Sequence, residues 1–164
     1  DLTVTGVQTC ALPIFYSDHR NGQPTYKVGL KVPWPAGGPN KTYIGAGYSH
    51  LLRGERFLHL WLDKHGYEYD VVTDHDLHQN PELLKGYQTV VVNGHSEYWS
   101  ARAYDGFDNY LKAGGAAVVM SGNTMFWRVS FDETGEVMEC RKFGKSIGGR
   151  VHRSEEHTSE LQSQ

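Results

Sequence analysis

The chain of 164 residues carries 16 Lys and Arg against 19 Asp and Glu, a formal net charge of −3, so neither nucleic acid nor an anionic membrane surface is favoured electrostatically as a partner. Its 2 cysteines, Cys10 and Cys140, are too few for a secreted disulfide scaffold; they suit a reducing compartment and favour a cytoplasmic setting. No apolar run approaches the roughly 20 residues of a membrane helix, and the length suits one domain.

The first element in chain order is "VTGVQTCALPIF", Val4 to Phe15. It lacks the basic segment, long apolar core and small-residue cleavage site of an export signal, and Pro13 interrupts it. Back-translation explains it. Val4–Ile14 and, at the far end, "RSEEHTSELQS" (Arg153–Ser163) are encoded by complementary strands of one common sequencing-adapter oligonucleotide. Residues 1–14 and 153–164 are therefore read as adapter-derived and not native, and are expected to pack poorly. Without them the charges balance and Cys140 is the only cysteine. The native portion, 15–152, is expected to be truncated at both ends.

Residues 15–50 are rich in Pro, Gly and aromatics. "TYKVGLKV" reads as a strand or hairpin arm. Pro33, Pro35 and Pro39 with Gly37 and Gly38 then break any regular element, and so long a connection is read as an ordered covering loop. From Arg53 the pattern changes. "RGERFLHLWLDKHG" places Phe57, Leu58, Trp61 and Leu62 at helical spacing, with Gly66 to end the helix. "YEYDVVTD" reads as a strand. In "NPELLKG", Asn80 is placed to cap a helix that starts at Pro81 and stops at Gly86. "TVVVNGH" is a short apolar strand of the kind buried on both faces. Ser100 can cap "ARAYDGFDNYLKAGG", whose Ala103, Phe107, Tyr110 and Leu111 share a face, and "AAVVMSGN" reads as another buried strand. This alternation over 53–123 predicts an α/β fold, a doubly wound and mostly parallel sheet. Residues 126–143 follow as a β-hairpin turning at Gly135.

Ligands of open parallel sheets bind outside the carboxyl ends of the strands. Three such ends are chemically rich: Thr73–His78, Asn93–Trp99 and Ser121–Arg128. Topology predicts that His75, His95, Glu97, Tyr98, Asn123, Trp127 and Arg128 converge on one crevice. Most have an ordinary alternative. Asp74 and Asp76 suit caps of the following turn better than metal ligands, and His75 and His78 suit solvated positions at a helix start. Phe126 and Trp127 can close the core as well as wall a pocket, Asn123 can serve its own turn, and Arg128 can pair a hairpin carboxylate. "GHSEYW" is harder to explain as architecture, because Gly94 permits a sharp turn and four hydrogen-bonding side chains follow beside Trp99. No G-x-S-x-G elbow, Walker loop or closely spaced Cys/His set is present, so covalent Ser or Cys catalysis and zinc are unsupported.

At "GYEYDVVTDHDLH", "VVVNGHSEYWS" and "SGNTMFWRVSFDETGEVMECRK" the chain resembles the C-terminal domain that ends the large subunit of N,N-dimethylformamidase-like proteins, and more loosely so across 15–152. The resemblance implies a class I glutamine-amidotransferase-like sandwich without the catalytic cysteine. It also implies a mononuclear ferric amidohydrolase that cleaves a small amide C–N bond, with one Fe(III) per chain held by two tyrosines and a glutamate. Tyr98 carries over as one tyrosinate ligand. Tyr16, Tyr43 and Tyr48 stay open for the second, and the glutamate is expected beyond His152, Glu97 and Glu139 being poor substitutes. Such an ion polarises an amide carbonyl and activates water. His95 or Glu97 then suits proton donation to the leaving amine, and Trp99, Asn123, Phe126, Trp127 and Arg128 suit the substrate pocket. The expected partners are the small amide, a small subunit and further copies of the chain, and the fragment alone is expected to be inactive. Two alternatives stand beside this: an inactive amidotransferase-like domain that binds carbohydrate or protein, and a metal-independent hydrolase using Glu97 and His95 as acid and base.

Overall fold

A computed structural model of the chain describes residues 2–5, 27–31 and 52–140. The covering loop read over 15–50, apart from 27–31, the tail 153–164, and Tyr16, Tyr43 and Tyr48 lie outside those residues. Two sheets organise the fold. The first is wholly parallel and runs β3 (Tyr69–Val72), β1 (Leu2–Thr5), β4 (Thr89–His95), β6 (Ala116–Gly122); the second is mixed and runs β2 (Lys27–Gly29), β8 (Val137–Glu139), β7 (Trp127–Phe131), β5 (Tyr98–Ser100).

Strand β4 is the spine of the parallel sheet and is covered on both faces, as its unbroken apolar run predicts. Val90 and Val92 point to one side, into a core with Leu77, Leu84, Trp99, Ala103, Phe107 and Tyr110. Val91 points to the other, onto Leu62 and Leu58 of α1 (Leu52–His65). The helix stripe is centred on Leu58 and Leu62, so Phe57 and Trp61, expected in the same face, lie at its flank and are exposed. Helix α3 (Ala101–Lys112) is capped by Ser100, whose Oγ accepts from the Ala103 N–H at 3.1 Å. It buries Ala103, Phe107 and Tyr110 as expected, while Leu111 faces water.

Three sequence expectations change. The segment after β3 is a helix, α2 (Asp74–Gln79), because Thr73 and Asp76 form a complete capping box: the Asp76 N–H donates to Thr73 Oγ1 at 3.1 Å and the Thr73 N–H to Asp76 Oδ2 at 2.8 Å. Asn80 ends that helix instead of starting the next, and Leu83–Gly86 forms a single 3-10 turn. Strand β6 is not buried. It pairs only with β4, α1 and α3 cover β4 in preference to it, and Val118, Val119 and Met120 remain about half exposed. Third, the amino-terminal segment was expected to pack poorly, yet Leu2–Thr5 pairs in parallel with β3 on one side and β4 on the other. The slot between β3 and β4 offers two edges of unpaired backbone groups. Any extended segment can satisfy them through its main chain, and Thr-Val-Thr favours extended backbone.

The predicted hairpin is present as β7 and β8, and its turn is closed by Asp132. Asp132 Oδ1 accepts from the Glu136 and Val137 N–H groups, each at 3.0 Å, and Gly135 supplies φ 70. Strand β2 adds to β8, as the hairpin-arm reading of "TYKVGLKV" allows. Residues Tyr98–Ser100, expected only as a strand-to-helix joint, form β5 alongside β7. The second sheet has its own core of Tyr98, Trp127, Val129, Met138 and Cys140. His75 and His78 tie the two sheets together: His75 Nε2 donates to the Gly135 carbonyl at 3.0 Å, and both rings pack on Phe131.

Candidate functional site

The carboxyl ends of β3, β4 and β6 meet at the segment Asn93–Glu97. Its shape begins with Gly94, whose φ of 74 lies in the left-handed region. That conformation turns β4 out of the sheet one residue before its end. Ser96 then anchors the turn to its neighbours. Its N–H donates to Ser121 Oγ at 2.7 Å, and its carbonyl accepts from the Met125 N–H at 2.8 Å. The Glu97 carbonyl accepts from the Trp127 N–H at 2.8 Å. The partner loop after β6 is itself bent, with Asn123 and Met125 at φ 48 and 56, conformations that side chains adopt only when the surroundings hold them there.

On this frame His95 and Glu97 face each other, His95 Nε2 lying 3.1 Å from Glu97 Oε2. Their side chains are 20 % and 14 % exposed, which keeps a reactive pair within reach of a small molecule. The other ring nitrogen lies against β6, where a Cβ placed on Gly122 would stand 2.7 Å from His95 Nδ1. The ring is therefore fixed between a glycine backbone and a carboxylate. A pair of this kind can hold a proton and move it to a bound group.

Behind the pair lies a polar chain that ends on a buried carboxylate. Trp99 Nε1 donates to Ser96 Oγ at 2.7 Å, and Ser96 Oγ donates to Asp74 at 3.2 and 3.3 Å. Asp74 is 4 % exposed, so the two aspartates at this strand end have separate roles: Asp76 caps α2 and Asp74 faces inward. Beside Asp74 stands Glu55 of α1, whose own carbonyl accepts from Asn93 Nδ2 at 3.2 Å. Burial first, and the nearby charge of Asp74 second, push the Glu55 carboxyl up to about 8.

Of the residues expected to converge, His95 and Glu97 do so and Asn123 sits exposed on the adjoining loop. Phe126, half exposed, stands edge-on to Trp127 with ring centres 4.9 Å apart, so these two form a wall beside the strand ends. Trp99 is directed into the core against Phe107. His75 is directed to the hairpin. Arg128 is partly buried on β7, opposite Trp99. Tyr98 is 2 % exposed and packs among Trp127, Val129, Met138 and Cys140. Among the described residues no group of three or more His, Cys, Asp or Glu is placed to hold a metal ion, so those residues alone do not assemble the iron site implied by the sequence resemblance. An apolar cavity of about 980 Å³ lies away from this chemistry, between α1 and the sheet, lined by Phe57, Trp61, Val91, Val118 and Met120.

Glu55 escaped the sequence reading. Its signal was present, because it stands three residues before Leu58 and seven before Leu62, an acidic residue within the apolar stripe of α1. Nothing in the spacing of Ser121 marked it as the partner of the Ser96 backbone.

Comparison with known proteins agrees with this picture. Residues 14–162 match the family described as N,N-dimethylformamidase beta subunit-like, C-terminal. Two curated relatives are the N,N-dimethylformamidase beta subunits of Alcaligenes sp, 43 % identical over 100 residues, and of Paracoccus aminophilus, 42 % identical over 100 residues. Each match covers 58 % of this chain and 13 % of the relative. With most of its length matched, the chain belongs to the N,N-dimethylformamidase beta subunit-like family, in its C-terminal region.

Proposed function

We propose that the protein to which this chain belongs hydrolyses a small amide, of the N,N-dialkylformamide type that its relatives' names give, and that His95 and Glu97 manage the proton of that reaction. The observation that carries this reading is the 3.1 Å His95–Glu97 contact on a turn fixed at the carboxyl ends of the parallel sheet. Hydrolysis needs one proton taken from water as its oxygen adds to the carbonyl carbon. It needs one delivered to nitrogen as the C–N electrons leave with the amine. A histidine and a carboxylate sharing a hydrogen bond supply both transfers. Phe126 and Trp127 suit the alkyl groups of such a substrate, and Asn123 suits its carbonyl as a hydrogen-bond partner.

The glutamine-amidotransferase-like sandwich, a small-subunit partner and one Fe(III) per chain belong to the same proposal, with Tyr98 as the iron ligand this chain contributes. Iron would supply Lewis-acid polarisation of the amide carbonyl; the apolar packing of Tyr98 gives no support for routing a step through it. The test is turnover of N,N-dimethylformamide by the full-length protein, followed as dimethylamine release, together with its iron content. Release that is lost on His95→Ala supports the reading. Undiminished release in that variant removes His95 from it, and a full-length protein that binds small amides without cleaving them points to a binding domain instead.

A further inference from the structure

Glu55 is 1 % exposed, yet neither of its carboxyl oxygens has a hydrogen-bond partner. An ionised carboxylate cannot be held that way, because nothing replaces its lost hydration, whereas a neutral carboxyl can. The groups packed around it agree. From α2 comes Asp74, a like charge. From β4 come Asn93 and Gly94, neither of them charged. On its own helix Arg56 is exposed, and His59 is kept from protonating chiefly by burial. Asp74 already receives the Ser96 hydroxyl, which in turn receives Trp99 Nε1. Those donors hold the negative charge on Asp74, so a proton shared by the two carboxyls belongs on Glu55.

Gly94 is where this acid meets the site. A Cβ added there would stand 2.5 Å from Glu55 Oε1 and 2.9 Å from Cδ, so the carboxyl fills the space that any side chain at Gly94 would take. The next residue is His95.

We propose that Glu55 is a positioning residue that works as an un-ionised acid, its neutral carboxyl packing against Gly94 and holding the turn that presents His95 and Glu97. Ionisation would set a second negative charge beside Asp74 in a space closed to water. Relief comes from moving the Glu55 side chain away from Gly94, which leaves the turn unsupported. The crevice therefore loses its geometry at alkaline pH through Glu55. This deepens the reading of the same site and rests on that reading only where turnover is concerned.

The test uses the full-length protein and its Glu55→Gln variant. Difference infrared spectra between about pH 6 and about pH 10 should show a protonated carboxyl band that titrates in the wild type and is missing from the variant. Hydrogen exchange of residues 93–97, corrected for the intrinsic pH effect, should quicken about tenfold across the same range in the wild type and stay level in the variant. On N,N-dimethylformamide, the alkaline fall in kcat/KM should vanish in Glu55→Gln. No protonated band assignable to Glu55 at neutral pH would overturn the proposal, and so would identical exchange profiles in the two proteins. If the band and the exchange behave as expected while neither protein turns over amide, the amidase reading fails and the role of Glu55 stands.

Discussion

The Ser96 hydroxyl donates to both oxygens of Asp74, at 3.2 and 3.3 Å, and accepts from the Trp99 indole at 2.7 Å. One side chain thus joins the end of β4, the start of α2 and the core beneath them. Ser96→Ala removes a donor from a buried carboxylate and an acceptor from a buried indole. The expected cost is about 1–3 kcal/mol, read as a shift in the chemical denaturation midpoint, and Trp99 retains only its 3.1 Å bond to the Ser96 carbonyl.

What the sequence disclosed and what it hid divide along the range of the interactions. The βα alternation over 53–123 was legible because apolar periodicity is local, and β4 and α3 lie where their patterns put them. The hairpin was legible from its turn residues, which the bonds of Asp132 and the φ of Gly135 explain. The strand β5 was not, since three residues carry no period and its pairing with β7 comes from a partner about thirty positions on. The role of Ser96 depends on Asp74, Ser121 and Trp99 at once, a set that only folding assembles. The strand pairing of Leu2–Thr5 was hidden for another reason: the sheet recruits that segment through its backbone.

Gly94→Ala combines two penalties. A left-handed φ of 74 costs a non-glycine residue about 1 kcal/mol, and the added Cβ must displace the Glu55 carboxyl. The single variant should lose about 2–4 kcal/mol of stability. In a Glu55→Ala background the second penalty disappears, so the same substitution should cost about 1 kcal/mol there. A double-mutant cycle by denaturation measures that difference, and additive costs would show that the two residues are not in contact in solution.

His95→Ala should lower kcat/KM on a small amide by about 10²–10⁴-fold. The two residues act as one proton-handling unit, so His95→Ala with Glu97→Gln should be little worse than His95→Ala alone. Gly122→Ala offers an independent approach: its Cβ would press on His95 Nδ1 from β6 without touching Glu97. Turnover should fall in that variant, with the Glu97 side chain intact. Dimethylamine release by the full-length proteins gives all three numbers.

Stability should depend on pH through Glu55 with a definite sign. The unfolded carboxyl ionises around 4.5 and the folded one at about 8. Below the first value both states hold the proton and Glu55 imposes no penalty. Between the two the unfolded chain releases its proton while the folded chain keeps it, so stability falls as pH rises, and the fall ends above about 8. At 1.36 kcal/mol per unit the full loss has a ceiling of about 5 kcal/mol. His59 and His78 act in the opposite sense, since burial lowers both and makes stability rise with pH up to their ordinary value of 6.5. The difference between wild type and Glu55→Gln removes those contributions and isolates Glu55. Denaturation of both proteins at a series of pH values should show the variant gaining on the wild type steadily from about pH 5 to about pH 8. A constant difference across that range would mean that Glu55 is ionised in the folded protein and finds its neutralising partner elsewhere.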